Sequence, residues 1–268
     1  MTSGSHPHTE AAGPGLANEF TAAEVSSFQE QGFLVVPGLA PEFLRERMLH
    51  VTLDGIARRI EPLELEAELQ YPGAPQVTHE GAQTIRRLKQ AFSRDASFLE
   101  WMQYPPLRTR LKQLLGEQVV CPLAHHNCIM TKEPRFSSDT GWHQDIRYWS
   151  FQKPELISVW LALGMERQEN GCLQVIPGSH RVSFPPSSFD QDLFFRVDWP
   201  ENEPYLQQRQ LVELNPGDVL FFHARTLHAA TRNYSPATKY SAVFTFRSSD
   251  NPPLSDSRSS RSPELLLH

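Results

Sequence analysis

Cysteine is scarce: Cys121, Cys128 and Cys172 are the chain's three, an odd number with no CxxC spacing, which excludes a disulfide framework and fits reduced thiols. No run approaches the roughly 18 consecutive apolar residues that a membrane span needs. The opening "MTSGSHPHTEAAGPG" lacks the basic-then-apolar order of a secretory signal. A surplus of positive charge is missing as well: 25 basic against 31 acidic residues give a formal net charge of -6, with neither sign gathered into a block that would suit a polyanion. Nucleic acid and membrane are therefore not expected partners, and a soluble cytoplasmic protein is expected. Internal repeats are absent, and 268 residues suffice for one domain with a substantial core.

Composition divides the chain. Residues 1–18 are rich in small and polar types, and residues 248–268, "SSDNPPLSDSRSSRSPELLLH", carry little contiguous apolar surface to offset the entropy of ordering. Both are expected to be flexible tails around a single folded domain over 19–247. Its first third reads helical. Thr21 and Glu24 form a capping box ahead of Val25 and Phe28. After the short strand-like "GFLVVPGL", Pro41 suits the first turn of a helix striped by Leu44, Met48 and Val51, and further helices are expected over about 84–92 and over 106–115, the latter closed by Gly116. Beyond residue 118 the pattern changes to "QVVCPL", "NCIMTK", "LISVWLAL", "GCLQVIPG", "RQLVEL", "DVLFFH" and "YSAVFTF", short β-rich runs punctuated by Gly and Pro. Long intervening helices are lacking, so the expected fold is mainly β, a sandwich or barrel with helices packed on one side.

In "DTGWHQDIRYW", His143 and Asp145 stand two apart, and on an extended strand such residues share a face. An isolated pair of this kind also occurs by chance on surface loops. A third donor changes its meaning, and the candidates lie in "FFHARTLHAATRNYS": His228, where an apolar strand gives way to a polar segment, or His223 at the strand's edge, which reads equally well as a hydrogen-bonded core histidine. Two imidazoles and one carboxylate hold one face of Fe(II) and leave the opposite positions for a co-substrate and dioxygen. Cys121 and Cys128 with His125 or His126 offer zinc donors, although "VCPLAHHNCIM" also reads as a strand with core thiols.

Taken in order, "WHQD", "SVWLAL", "ENGCLQVIPGSHR", "NPGDVLFFH" and "LHAATRNYS" resemble the phytanoyl-CoA dioxygenase family of Fe(II)/2-oxoglutarate oxygenases, over about residues 20–247 and most strongly over 140–247. The resemblance implies a double-stranded β-helix (a jelly roll, cupin-like), iron held by His143, Asp145 and His228, and 2-oxoglutarate and O2 as co-substrates. The activity implied is hydrogen abstraction from a small organic metabolite and its hydroxylation, with release of succinate and CO2. Where the family carries an arginine for the remote carboxylate of 2-oxoglutarate this chain has Lys239, with Arg232 as a competing cation; a lysine is a three-donor point charge and not a planar fork. Trp160 and Met130 are implied beside the co-substrate, Ala230 stands where the family has serine, and Arg87 and Lys89 compete for an upstream lysine position.

Asp145 fills the place that halogenating relatives keep small, which directs the expectation to oxygen insertion, desaturation, cyclisation or epimerisation. Gly171, Pro177, Gly178, Ser179 and His180 are expected to shape turns. Asn127, Arg147, Tyr148, Trp149 and Arg225 flank the ligand segments as candidate mouth residues, and a largely apolar metabolite, free or part of a biosynthetic pathway, is the expected substrate. The rival readings are a zinc hydrolase, for which no HExxH is present, and a non-catalytic jelly-roll binding protein.

Overall fold

The computed structural model describes residues 18–69 and 71–268; the expected amino-terminal tail lies, but for residue 18, outside them. The chain begins with α1 (Ala22–Gln31), where Thr21 Oγ1 accepts from Glu24 N at 3.2 Å and the Glu24 carboxylate accepts from Thr21 N at 2.8 Å, the capping box read from the sequence. Gly32 ends the helix at φ 79°, and a Cβ there would stand 2.3 Å from His180 Nδ1, so only glycine suits both the turn and the close approach. There follow β1 (Phe33–Val36), α2 (Glu42–Ala57), β2 (Leu63–Leu65), a single turn α3 (Glu66–Leu69), β3 (Ile85–Lys89), α4 (Ala96–Met102) and α5 (Pro105–Leu115). The remainder is almost all β: β4 (Val119–Pro122), β5 (Asn127–Lys132), β6 (Thr140–His143), β7 (Leu156–Ala162), β8 (Leu173–Val175), the short α6 (Glu203–Leu206), β9 (Gln210–Val212), β10 (Val219–His223), β11 (His228–Ala230), β12 (Lys239–Ser248) and β13 (Glu264–Leu266).

Two sheets result. The larger runs β1-β10-β7-β12-β5-β3-β2 with β4 beside β12 and β13 beside β4, and the smaller runs β6-β11-β8-β9. The mainly β fold with flanking helices is thus the one expected.

Strand alternation sorts each residue to a layer. Ile157, Val159 and Leu161 of β7, Val219 and Phe221 of β10, and Ala242, Phe244 and Phe246 of β12 pack with Met48, Phe98, Trp101, Leu107 and Leu111 of the helices. Their neighbours Trp160 and Ala162, Leu220 and Phe222, and Val243 belong instead to a second cluster with Leu173 and Val175 of the smaller sheet. Each large side chain buried this way contributes about 1.5–3 kcal/mol, so the helical layer fixes the larger sheet and frees its other face to build a chamber.

Two expectations are corrected. Residues 85–89 are strand, not helix: β3 lies between β5 and β2, with Leu88 opposite Ile129 and Arg87 opposite Met130. The "IRRLK" pattern is too short to distinguish the two by period, and the pairing of its main chain with β5 decides. The carboxy-terminal residues are not loose either. β13 closes the edge of β4, Leu265 opposite Cys121, Glu264 pairs with Arg247, and Leu267 is buried. Few apolar residues suffice there because an unpaired strand edge supplies main-chain partners. Leu267→Ala should accordingly lower stability by about 2–3 kcal/mol in a denaturant titration, the cost of an unfilled core site; an unchanged midpoint would mean that the segment contributes nothing.

Candidate metal centre

β6 and β11 pair so that His143 and His228 are directly opposed. Each imidazole has its Nδ1 against a main-chain carbonyl, His143 to Gly141 O at 2.8 Å and His228 to Thr226 O at 3.0 Å. A carbonyl only accepts, so each Nδ1 carries the proton and each Nε2 presents a lone pair. Those lone pairs face Asp145: Oδ1 lies 3.7 Å from His143 Nε2 and 3.6 Å from His228 Nε2, and one donor atom from each of the three residues falls within 4.8 Å of the others. His143 and Asp145 converge without sharing a strand: β6 ends at His143, Gln144 is extended, and Asp145 opens a short 3-10 turn to Tyr148.

Asp145 is 4% exposed. Burial raises a carboxyl's pKa, but here it is outweighed by His126, His228 and His143 and by the Ser158 hydroxyl, which donates to Oδ2 at 3.0 Å, so the Asp145 pKa ends below the usual value. Burial, then the neighbouring His228, drives the His143 pKa well down. An ionised carboxylate beside a neutral imidazole is the donor state that a divalent cation requires. His126 Nδ1 stands 3.5 Å from Asp145 Oδ2 and braces it from behind.

The rival donors do not assemble. His223 Nε2 is 3.1 Å from the Glu155 carboxylate and its ring lies against His180, which makes it the hydrogen-bonded histidine of the alternative reading. Among the described residues the only three-donor group is His143, Asp145 and His228; Cys121 and Cys128 join none.

The triad opens on a cavity of about 300 Å³ that Met130, Trp160, Ala230 and Lys239 also line, together with Arg87, Arg147, Tyr148 and Trp149. Four expected residues do not reach it. Arg232 is clamped on Asp139, Nη2 to Oδ2 at 2.6 Å, Asn127 accepts from Phe92 N, Arg225 donates to Val182 O at 2.7 Å, and Lys89, at the end of β3 opposite Cys128, is not among the lining residues. Others were missed: Lys132, Tyr71, Arg86, His125 and His126 line the cavity, as does Arg258 from the carboxy-terminal segment. Lys132 was legible, two residues after Met130 on one strand and hence on the same face. Tyr71 comes from a loop and Arg258 from a single 3-10 turn, neither with a periodic signal.

Residues 28–241 match the family model described as phytanoyl-CoA dioxygenase (PhyH). The chain is 24% identical over 244 residues to the human protein named phytanoyl-CoA dioxygenase, peroxisomal, spanning 87% of this chain and 70% of that one. It is 27% identical over 277 residues to the ectoine dioxygenase of Halomonas elongata, spanning 97% and 78%. Among solved structures, the non-heme alpha-ketoglutarate-dependent carbocyclase SnoK from nogalamycin biosynthesis superposes with a TM-score of 0.71 at 19% identity, over 96% of this chain and 100% of that one, which supports the double-stranded β-helix.

These relatives overturn the cytoplasmic expectation: the human, mouse, bovine and rat proteins are all named peroxisomal. No helix of the described residues is long and apolar enough to cross a membrane.

Replacing His143, Asp145 or His228 by Ala should each abolish stoichiometric Mn(II) or Fe(II) binding in a calorimetric titration, while His223→Ala retains it. Metal lost with His223→Ala and kept with His228→Ala would show the wrong histidine has been placed in the centre.

Proposed function

We propose, the chain belonging to the phytanoyl-CoA dioxygenase family, that His143, Asp145 and His228 hold the iron of an oxygenase acting on a small metabolite. The protein is an Fe(II)- and 2-oxoglutarate-dependent dioxygenase, and one observation carries the assignment of its centre: two Nε2 lone pairs and one ionised carboxylate converge on a single point inside a cavity. Three donors on one side leave the opposite positions open to small molecules, unlike a closed structural site. With Fe(II) bound, the net chemistry is substrate C–H plus 2-oxoglutarate plus O2 giving C–OH, succinate and CO2.

The chain's own residues do the rest. Gly141 and Thr226 carbonyls fix the imidazole tautomers, and Ser158 and His126 fix Asp145. Trp160, Met130 and Ala230 wall the co-substrate region, with Lys239 as a cation there; alanine in place of the family serine leaves that wall one hydroxyl poorer. Trp149 stands edge-on to the His126 ring and Tyr148 stacks under the Arg147 guanidinium, so the aromatic pair screens the chamber while Arg147 is anchored on the Leu193 carbonyl at 2.9 Å. The substrate enters among Arg87, Arg258, Tyr71 and Trp149. Two guanidinium-bearing residues beside rings suit an apolar body carrying a polar or anionic group.

A zinc hydrolase would need a carboxylate free to act as a base, yet Asp145 is a donor and Glu64, the other acidic residue lining the cavity, faces Arg87 at 3.5 Å. The purified protein should release CO2 and succinate from 2-oxoglutarate only with Fe(II) and O2, and zinc-loaded protein should release none. Release that is indifferent to the metal would overturn the reading. Because Asp145 occupies the carboxylate position, product formed in chloride buffer should carry hydroxyl and no chlorine by mass spectrometry; a chlorinated product is the contrary result.

A further inference from the structure

Lys239, the lysine at the position of the family arginine, is not an unpaired cation. Its Nζ donates to Glu166 Oε2 at 3.1 Å, and Glu166 Oε1 accepts from Trp160 Nε1 at 2.9 Å and from Ser241 Oγ at 2.5 Å. Glu166 and Ser241 are 0% exposed and Lys239 is 3% exposed. A carboxylate so placed already neutralises the ammonium, and a dicarboxylate arriving at Lys239 alone would meet a pair of zero net charge.

A second lysine stands next to it. In the pairing of β12 with β5, Lys132 is directly opposite Lys239, and both line the cavity. Lys132 is buried, and its Nζ donates to the Ser138 carbonyl at 2.8 Å; among the described residues no carboxylate forms an ion pair with it. A Cβ on Gly171 would come within 2.3 Å of Thr231 O and 2.9 Å of Lys132 Cδ, so the glycine of "ENG" makes room for that main chain and for this stem together. Burial, and then the charges of Arg86 and Lys239, push the Lys132 pKa well below that of a free lysine, against the smaller opposing pull of Glu66 and Asp139, so the ammonium is poorly compensated until an anion arrives to hold its proton. A cation in those surroundings gains from an incoming anion more than a solvated one does.

We propose that Lys132 supplies the uncompensated charge for the remote carboxylate of the 2-oxo acid, while Lys239, held by its resident counter-ion Glu166, contributes hydrogen-bond donors and little net charge. The inference rests on the co-substrate reading above and says which residue discriminates a dicarboxylate from a monocarboxylate. An arginine does both tasks with one group; two lysines and a glutamate divide them.

The test uses full-length protein loaded with Mn(II), which forms the site without turnover, and calorimetric dissociation constants for 2-oxoglutarate and for 2-oxopentanoate, which has the same chain length without the remote carboxylate. The unmodified protein should prefer 2-oxoglutarate. Lys132→Met, which replaces a buried cation by an apolar chain of similar length, should reduce that preference by about tenfold or more through weaker 2-oxoglutarate binding alone. The double variant Lys239→Met/Glu166→Gln removes both charges of the neutral pair and should lose less than about threefold, and Glu166→Gln, by uncovering Lys239, should tighten 2-oxoglutarate. Preference retained in Lys132→Met, or lost more in the double variant than in Lys132→Met, overturns this inference alone. No preference in the unmodified protein overturns it together with the co-substrate reading.

Discussion

A carboxylate shut away from water governs this molecule. Asp145 is 4% exposed, and leaving such a charge uncompensated costs several kcal/mol. Everything within reach of it is arranged to meet that cost: a hydroxyl from β7, an imidazole from the turn before β5, and the two histidines that face each other across β6 and β11. These partners come from both sheets, so the carboxylate is satisfied only when the sheets have closed on one another. Each of the two histidines turns its Nε2 to the same point as the carboxylate, and a divalent cation held between the three cancels the charge. The site is therefore an electrostatic deficit that the fold creates and the metal removes.

The strand period is what allows one sheet to be both core and chamber. On β7 the odd-numbered Ile157, Val159 and Leu161 lie against the helices, and the even-numbered Ser158 and Trp160 face the site. On β5 the same rule sends Ile129 to the helical core and Met130 and Lys132 to the cavity. Shifting any of these strands by one residue would exchange a hydrophobic row for a polar one, so the packing of helices α2, α4 and α5 on one face also fixes the register of the donors on the other.

This division explains what was legible in the sequence. The capping box at Thr21, the seven β-rich runs and the triad could be read because each depends on local pattern or on ordered motifs such as "WHQD" and "LHAATRNYS". Ile85–Lys89 was misread because five residues of mixed polarity fit either period and only the neighbouring strands decide. Residues 248–268 were misread because their ordering depends on a strand edge contributed by residues 119–122. Arg232 reads as a candidate in the sequence because its proximity to His228 is visible there and its clamp on Asp139 is not. Glu166 escaped for the same reason: in "GMERQENG" it looks like one more turn residue, and its role is set by Trp160, Lys239 and Ser241, which reach it from two other strands' worth of chain.

Glu166 also shows why a lysine is workable where a guanidinium would orient itself. An ammonium on a four-carbon stem has no preferred plane, so its direction must be set from outside. Glu166 does this from a backbone that is itself fixed, its N–H donating to Leu214 O at 2.9 Å and its carbonyl accepting from Leu214 N at 3.0 Å. The same carboxylate holds the Trp160 indole, whose ring lies 5.0 Å from Lys239 Nζ. One buried acid thus aligns both a cation and an aromatic wall of the chamber, at the expense of the charge that the cation brings. A chain that spends its lysine's charge in this way must place another cation in the chamber if it is to hold a dicarboxylate, and the residue directly across the strand pair is Lys132.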